Sequence, residues 1–157
     1  MKKLNVFLLI VLLALIALMI LVLAGSHLSA ETHIVTAPAS EHPDAFSSIR
    51  SVLASGSAPQ QFTGDIPQSA DGCTLVDVTI SLTNAGLLPA EWLDVAVTAQ
   101  PGDIAVYSLT GEGSDIPARS TGQINLKLIT AESAAVPHTI TLRYYVFGMP
   151  RTLTVTG

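Results

Sequence analysis

The chain predicts an all-β fold, an antiparallel sandwich of about seven strands, set behind one transmembrane helix and one short amphipathic helix. Three observations carry this. Residues 6–24 contain no polar side chain, and residues 44–55 repeat apolar residues at helical spacing. From residue 58 onward, apolar and polar residues alternate in short runs separated by Gly, Pro and Asn, the period of half-buried strands. No helix-length period interrupts those strands, which argues against a parallel α/β sheet.

The apolar block comes first. Its nineteen residues would span about 28 Å as a helix, close to the ~30 Å hydrocarbon core of a bilayer. Fifteen of them are Leu, Ile, Val or Phe, so insertion is favourable by several kcal/mol. Lys2 and Lys3 precede the block and no Lys or Arg follows until Arg50. The positive-inside rule then places the N-terminus in the cytoplasm and the C-terminal part outside the cell or in the periplasm. Membrane lipid, through residues 6–24, is the first expected partner. A cleaved signal peptide is the rival reading, since Val22-Leu23-Ala24 and Ala24-Gly25-Ser26 suit a signal peptidase. The apolar run exceeds the usual h-region, which favours an anchor over residues 1–24.

Residues 25–43 lack sustained periodicity and read as an extended linker, with residues 32–36 the one stretch able to pair as a strand. The spacings of His27, His33 and His42 match no metal-ligand motif. Residues 44–157 then form the folded head. Within it Pro43 and Asp44 start a helix, Phe46, Ile49, Val52 and Leu53 fall on one face, and Gly56 stops it.

An edge strand is expected near residues 58–62. Val76, Val78, Ile80 and Leu82 alternate with Asp77, Thr79, Ser81 and Thr83, and the turn Asn84-Ala85-Gly86 follows. Leu93, Val95 and Val97 define the next strand, and residues 104–109 another. Ile124, Leu126 and Leu128 alternate with Asn125 and Lys127, and Ile140, Leu142, Tyr144 and Val146 with Thr141, Arg143 and Tyr145. Leu153 and Val155 mark the last strand, after a tight Gly148-Met149-Pro150 turn.

The run from Val78 to Gly86, the apolar strand with Trp92, and Asp115-Ile116-Pro117-Ala118-Arg119-Ser120 leading into Ile124–Leu128 together resemble bacterial extracytoplasmic immunoglobulin-like modules. The order of strand, Asn-x-Gly, strand, Pro-x-x-Ser, strand is similar to that of cell-adhesion-related (CARDB-like) and fibronectin-III-like domains. The resemblance covers residues 74–130 and implies an immunoglobulin-like scaffold or binding module with no shared catalytic residues.

Composition narrows the function. Of seven basic residues, Lys2 and Lys3 precede the apolar block, which leaves five against twelve acidic ones in the remainder. An acidic domain with scattered Arg and Lys has no footprint for nucleic acid. Cys73 is the single cysteine, so no intramolecular disulfide forms. It follows Asp71-Gly72, an acidic setting that disfavours thiolate, and reads as structural, with an intermolecular disulfide as the alternative. The loop Gly111-Glu112-Gly113-Ser114-Asp115 holds two carboxylates but lacks the dense oxygen ligands of a calcium loop. His138 has no nucleophile in a recognisable setting, and no catalytic, cofactor-binding or metal-binding motif is present.

The side-chain parity is more informative. Trp92 falls on the face opposite Leu93, and Arg143, Tyr145 and Phe147 fall opposite Leu142 and Val146. Arg and aromatic residues on a solvent face suggest a partner surface, unless the 44–55 helix covers them. The expected function is therefore a non-enzymatic, membrane-anchored extracytoplasmic module that binds another envelope or membrane protein. A subunit of a surface assembly, with residues 32–36 added to a neighbour's sheet edge, is the alternative, as is a secreted module if the N-terminal segment is removed.

Overall fold

The structure is a computed structural model and describes residues 2–24, 27–62, 64–134 and 136–157. Helix α1 spans Lys2–Ala24. It is long and apolar enough to cross a membrane, and none of its Lys3–Ile20 window is buried against the rest of the chain. The suggested peptidase site at residues 24–26 runs into residues 25 and 26, which lie outside the described ones.

Seven strands follow: β1 (Leu28–Pro38), β2 (Cys73–Asn84), β3 (Glu91–Val97), β4 (Asp103–Thr110), β5 (Ser120–Ala131), β6 (Thr139–Val146) and β7 (Met149–Thr156). They build two antiparallel sheets, β1-β2-β5-β4 and β3-β6-β7. That is the strand order of a constant-type immunoglobulin sandwich. The alternation read from the sequence is the burial pattern: Val76, Val78, Ile80 and Leu82 of β2 face Ile124, Leu126 and Leu128 of β5, and all seven are fully buried. Ile140, Leu142, Tyr144 and Val146 of β6 close the core from the second sheet.

The linker expectation is corrected. Residues 28–38 form β1, which pairs with β2 along eleven positions, from Leu28 opposite Asn84 to Pro38 opposite Thr74. Its inward side carries Leu28, Ala30, Thr32 and Ile34, and a short 3₁₀ turn at Ala39–Glu41 leads to the second helix. The strand expected at residues 58–62 does not form. Pro59 cannot join a ladder, and the segment instead sends the side chain of Gln61 to the free edge of β3. Its Nε2 donates to Val95 O at 2.7 Å and its Oε1 accepts from Val97 N at 2.8 Å.

Helix α2 spans Pro43–Ala54. Pro43 occupies its first turn, where no N–H is needed. Gly56, at φ 69°, ends it in a Schellman motif: Gly56 N donates to Leu53 O and Ser57 N to Val52 O. Phe46, Ile49 and Leu53 are buried against Ala105, Ile129, Cys73 and Ala39, each such side chain contributing about 2 kcal/mol by leaving water. The helix therefore covers the outer face of the four-stranded sheet. It does not cover the outer face of β3-β6-β7, where Arg143, Tyr145 and Trp92 lie.

Candidate functional site

The aromatic residues gather at one end of the sandwich, and the backbone there is unusual. Glu91 pairs with Tyr145 and Asp94 with Arg143, so two residues of β3 oppose one of β6. This is a β-bulge, and Trp92 sits in it with φ 53°. Asp115 holds the distortion in place: its Oδ1 accepts the Trp92 N–H at 2.8 Å, while Leu93 N donates to Ser114 O at 3.1 Å. The indole is left 70% exposed.

Phe147 is not on a strand face, as the alternation implied, but in the β6–β7 turn. Val146 pairs with Met149, so Phe147-Gly148 is a two-residue hairpin loop, with φ 52° and 72°. Both signs fit a type I′ turn, whose first position normally goes to Asn, Asp or Gly. A phenylalanine there costs roughly 1–2 kcal/mol, and it projects its ring 72% exposed. Tyr145, 43% exposed, lies between Trp92 and this turn. Glu91, Trp92, Asp115, Tyr145 and Gly148 line a hollow of about 510 Å³. A second, of about 330 Å³, brings Arg143 together with Trp92, Asp94, Glu112 and Tyr145. Three residues of the expected partner surface, Trp92, Arg143 and Tyr145, thus share these hollows with carboxylates of β3 and of the Gly111–Asp115 loop, while Phe147 stands in the adjoining turn.

A buried asparagine sets the loops beneath them. Asn84 Nδ2 lies 2.9 Å from Leu88 O, 3.1 Å from Ile116 O and 3.2 Å from Pro117 O, and its Oδ1 accepts from Gly86 N at 3.0 Å. One side chain so ties the β2–β3 loop to the β4–β5 loop, and Ala90 and Ile116 exchange two backbone bonds beside it.

A buried pair at the opposite end carries no motif in the sequence. His138 Nε2 donates to Asp103 Oδ1 at 2.8 Å, with the side chains 0% and 1% exposed. Asp103 Oδ2 also accepts from Gln100 N at 2.6 Å. The signal available was only an Asp at a strand start and a His before a strand. The pair resembles a base and its orienting acid, but it is enclosed on all sides, and its evident work is to join β4 to the start of β6. Cys73 is buried under α2 with Sγ 3.8 Å from Ser69 O. Burial, and then the Asp71 carboxylate, pushes its thiol up. In the Gly111–Asp115 loop Ser114 Oγ donates to Gly111 O at 2.5 Å. No three His, Cys, Asp or Glu side chains converge among the described residues.

No family model matches the chain, and neither does any curated protein sequence. Solved structures match at low identity. The GAE domain of yeast GGA1 shares 13% identity over 61% of this chain and 97% of its own, with a TM-score of 0.42. A FixG-related protein from Vibrio parahaemolyticus shares 11% over 82% and 92%, with a TM-score of 0.38. An uncharacterized β-sandwich protein from Clostridium difficile shares 8% over 82% and 85%, with a TM-score of 0.32.

Proposed function

We propose that the chain is a non-enzymatic, membrane-anchored binding module whose sandwich stands on the extracytoplasmic side and recognises another protein of the membrane or envelope. One observation supports this above the others. Three residues, 25–27, separate the end of α1 from the start of β1, so an anchored α1 keeps the head at the bilayer surface. A module confined there meets membrane-held partners at a raised effective concentration without needing high intrinsic affinity. Lys2 and Lys3 on the N-terminal side of α1 favour this orientation. The resemblance to CARDB-like modules also points to contact rather than catalysis.

The assembly alternative takes another form. Residues 32–36 pair with β2 of the same chain, so a neighbour's sheet would add to the outer edge of β1 rather than take up a free tether. Crosslinking in native membranes, followed by identification of the captured proteins, tests the proposal. A discrete membrane or envelope protein is expected. Recovery of the chain as a soluble form beginning after residue 24, with no crosslinked partner, contradicts it.

A further inference from the structure

Beyond α1, seven large apolar side chains are exposed among the described residues, and five of them are Leu87, Trp92, Tyr145, Phe147 and Met149. The topology puts these five at one end. Leu87 is in the β2–β3 loop, Trp92 near the start of β3, and Tyr145, Phe147 and Met149 at the β6–β7 hairpin, with Glu91 opposite Tyr145. The chain leaves α1 at the same end, because Leu28 opens β1 opposite Asn84, and Asn84 stands opposite Ser120. Four residue steps from Ala24 to Leu28 reach at most about 14 Å, whereas the eleven residues of β1 carry the other end roughly 36 Å further away.

We propose that these five side chains dock the sandwich into the interfacial layer of the bilayer that α1 crosses. The inference rests on the anchoring reading above, and it gives the expected partner surface at Trp92, Arg143, Tyr145 and Phe147 a lipid occupant. Three features favour lipid over protein. Trp and Tyr, with an apolar body and a polar tip, settle at headgroup level. The most exposed rings project from a bulge and a hairpin tip, whereas protein hot spots fill packed, desolvated pockets. Charge at this end is close to balance and slightly negative, with Arg119, Arg143 and Arg151 against Glu91, Asp94, Glu112 and Asp115. The contact therefore needs no anionic lipid and depends little on salt. The long arginine stems can lie along the apolar layer with their guanidinium groups among headgroups. Docking also explains the backbone: Trp92 and Phe147 occupy left-handed conformations that small residues adopt at lower cost, and strain retained at two exposed rings is the mark of a working surface.

Trp92 is the single tryptophan, so its fluorescence reports the contact. The full chain is reconstituted into phosphatidylcholine vesicles and floated after an alkaline wash. Trp92 emission is then read against aqueous iodide and against lipids brominated near the headgroup. The expected result is flotation with the vesicles, quenching by brominated lipid, and iodide quenching at least about twofold weaker than for free tryptophan amide. Phe147→Asn, which suits the turn and keeps the hairpin, should increase the iodide quenching. A chain that floats while Trp92 is as open to iodide as the free amide, and untouched by brominated lipid, overturns the docking alone. A chain that is washed off the vesicles overturns the anchoring and the docking with it. Shielding of Trp92 in native membranes but not in pure lipid assigns the surface to a protein and overturns the lipid occupant.

Discussion

The two ends of the sandwich are locked by the same device and finished in opposite ways. At the end far from α1, the buried His138–Asp103 pair joins β4 to β6, and among the described residues of the loops beside it, 98–102 and 132–137, Val136 is the one large apolar side chain exposed. At the near end, buried Asn84 joins two loops, yet the tips beyond it carry Leu87, Trp92, Phe147 and Met149 in exposed positions. A sandwich stable in water needs only the first kind of finish. The contrast teaches that the near end is built for a non-aqueous neighbour, and that its rigidity and its apolar surface are supplied by different residues that can be altered separately.

Breaking the far lock should have the largest effect. Asp103→Ala leaves His138 Nε2 buried without its acceptor and should cost about 3 kcal/mol, read by urea denaturation of the detergent-solubilised chain with near-ultraviolet circular dichroism. Trp92 shielding in vesicles should persist as long as the fold does. Breaking the near lock with Asn84→Ala should cost about 2 kcal/mol, because three carbonyls lose one shared donor. Here the faster hydrogen exchange should concentrate at the Ala90 and Ile116 amides rather than spread to β6. Phe147→Asn sharpens the comparison in the other direction. It relieves the left-handed phenylalanine and should raise stability by about 1 kcal/mol while weakening the bilayer contact. A variant that loses both would show that the ring is simply part of the fold.

The smallest effect lies on the α2-covered face. Burial first, and the Asp77 carboxylate second, push the Tyr107 hydroxyl up to about 12 from a usual 10.0. The fold thus favours the neutral phenol. Its contribution is whole below pH 10 and is lost as pH rises through about 12. Stability measured across that window should fall less steeply in Tyr107→Phe than in the parent chain.

What could be read in the sequence follows from how burial constrains it. β2, β5 and β6 each bury one face completely, so Val76, Val78, Ile80 and Leu82, and their counterparts, must alternate with polar residues. Of β1 only residues 32–36 are legible as a strand, because an edge strand at the sandwich margin needs little: of its inward residues only Leu28 is buried, and Ala30 and Thr32 are too small or polar to mark a period. The bulge at Trp92 is invisible to parity, since an extra residue changes pairing without changing composition. The alternation also carried Phe147 onto a strand face, although the hairpin turns at that residue. The outward aromatic residues were legible one strand at a time. Their meeting with Leu87, Met149 and the exit of α1 was not, because only the strand order brings positions so distant in sequence to one end.

The most direct test contrasts the two ends in a single measurement. In the full chain carrying Cys73→Ser, nitroxide labels at Leu87→Cys and at Val136→Cys report collision with lipid-soluble oxygen and with a water-soluble nickel chelate in phosphatidylcholine vesicles. The near-end label should favour oxygen and the far-end label the chelate. Equal chelate accessibility at both positions, with the chain still anchored, would contradict a head docked by its aromatic end.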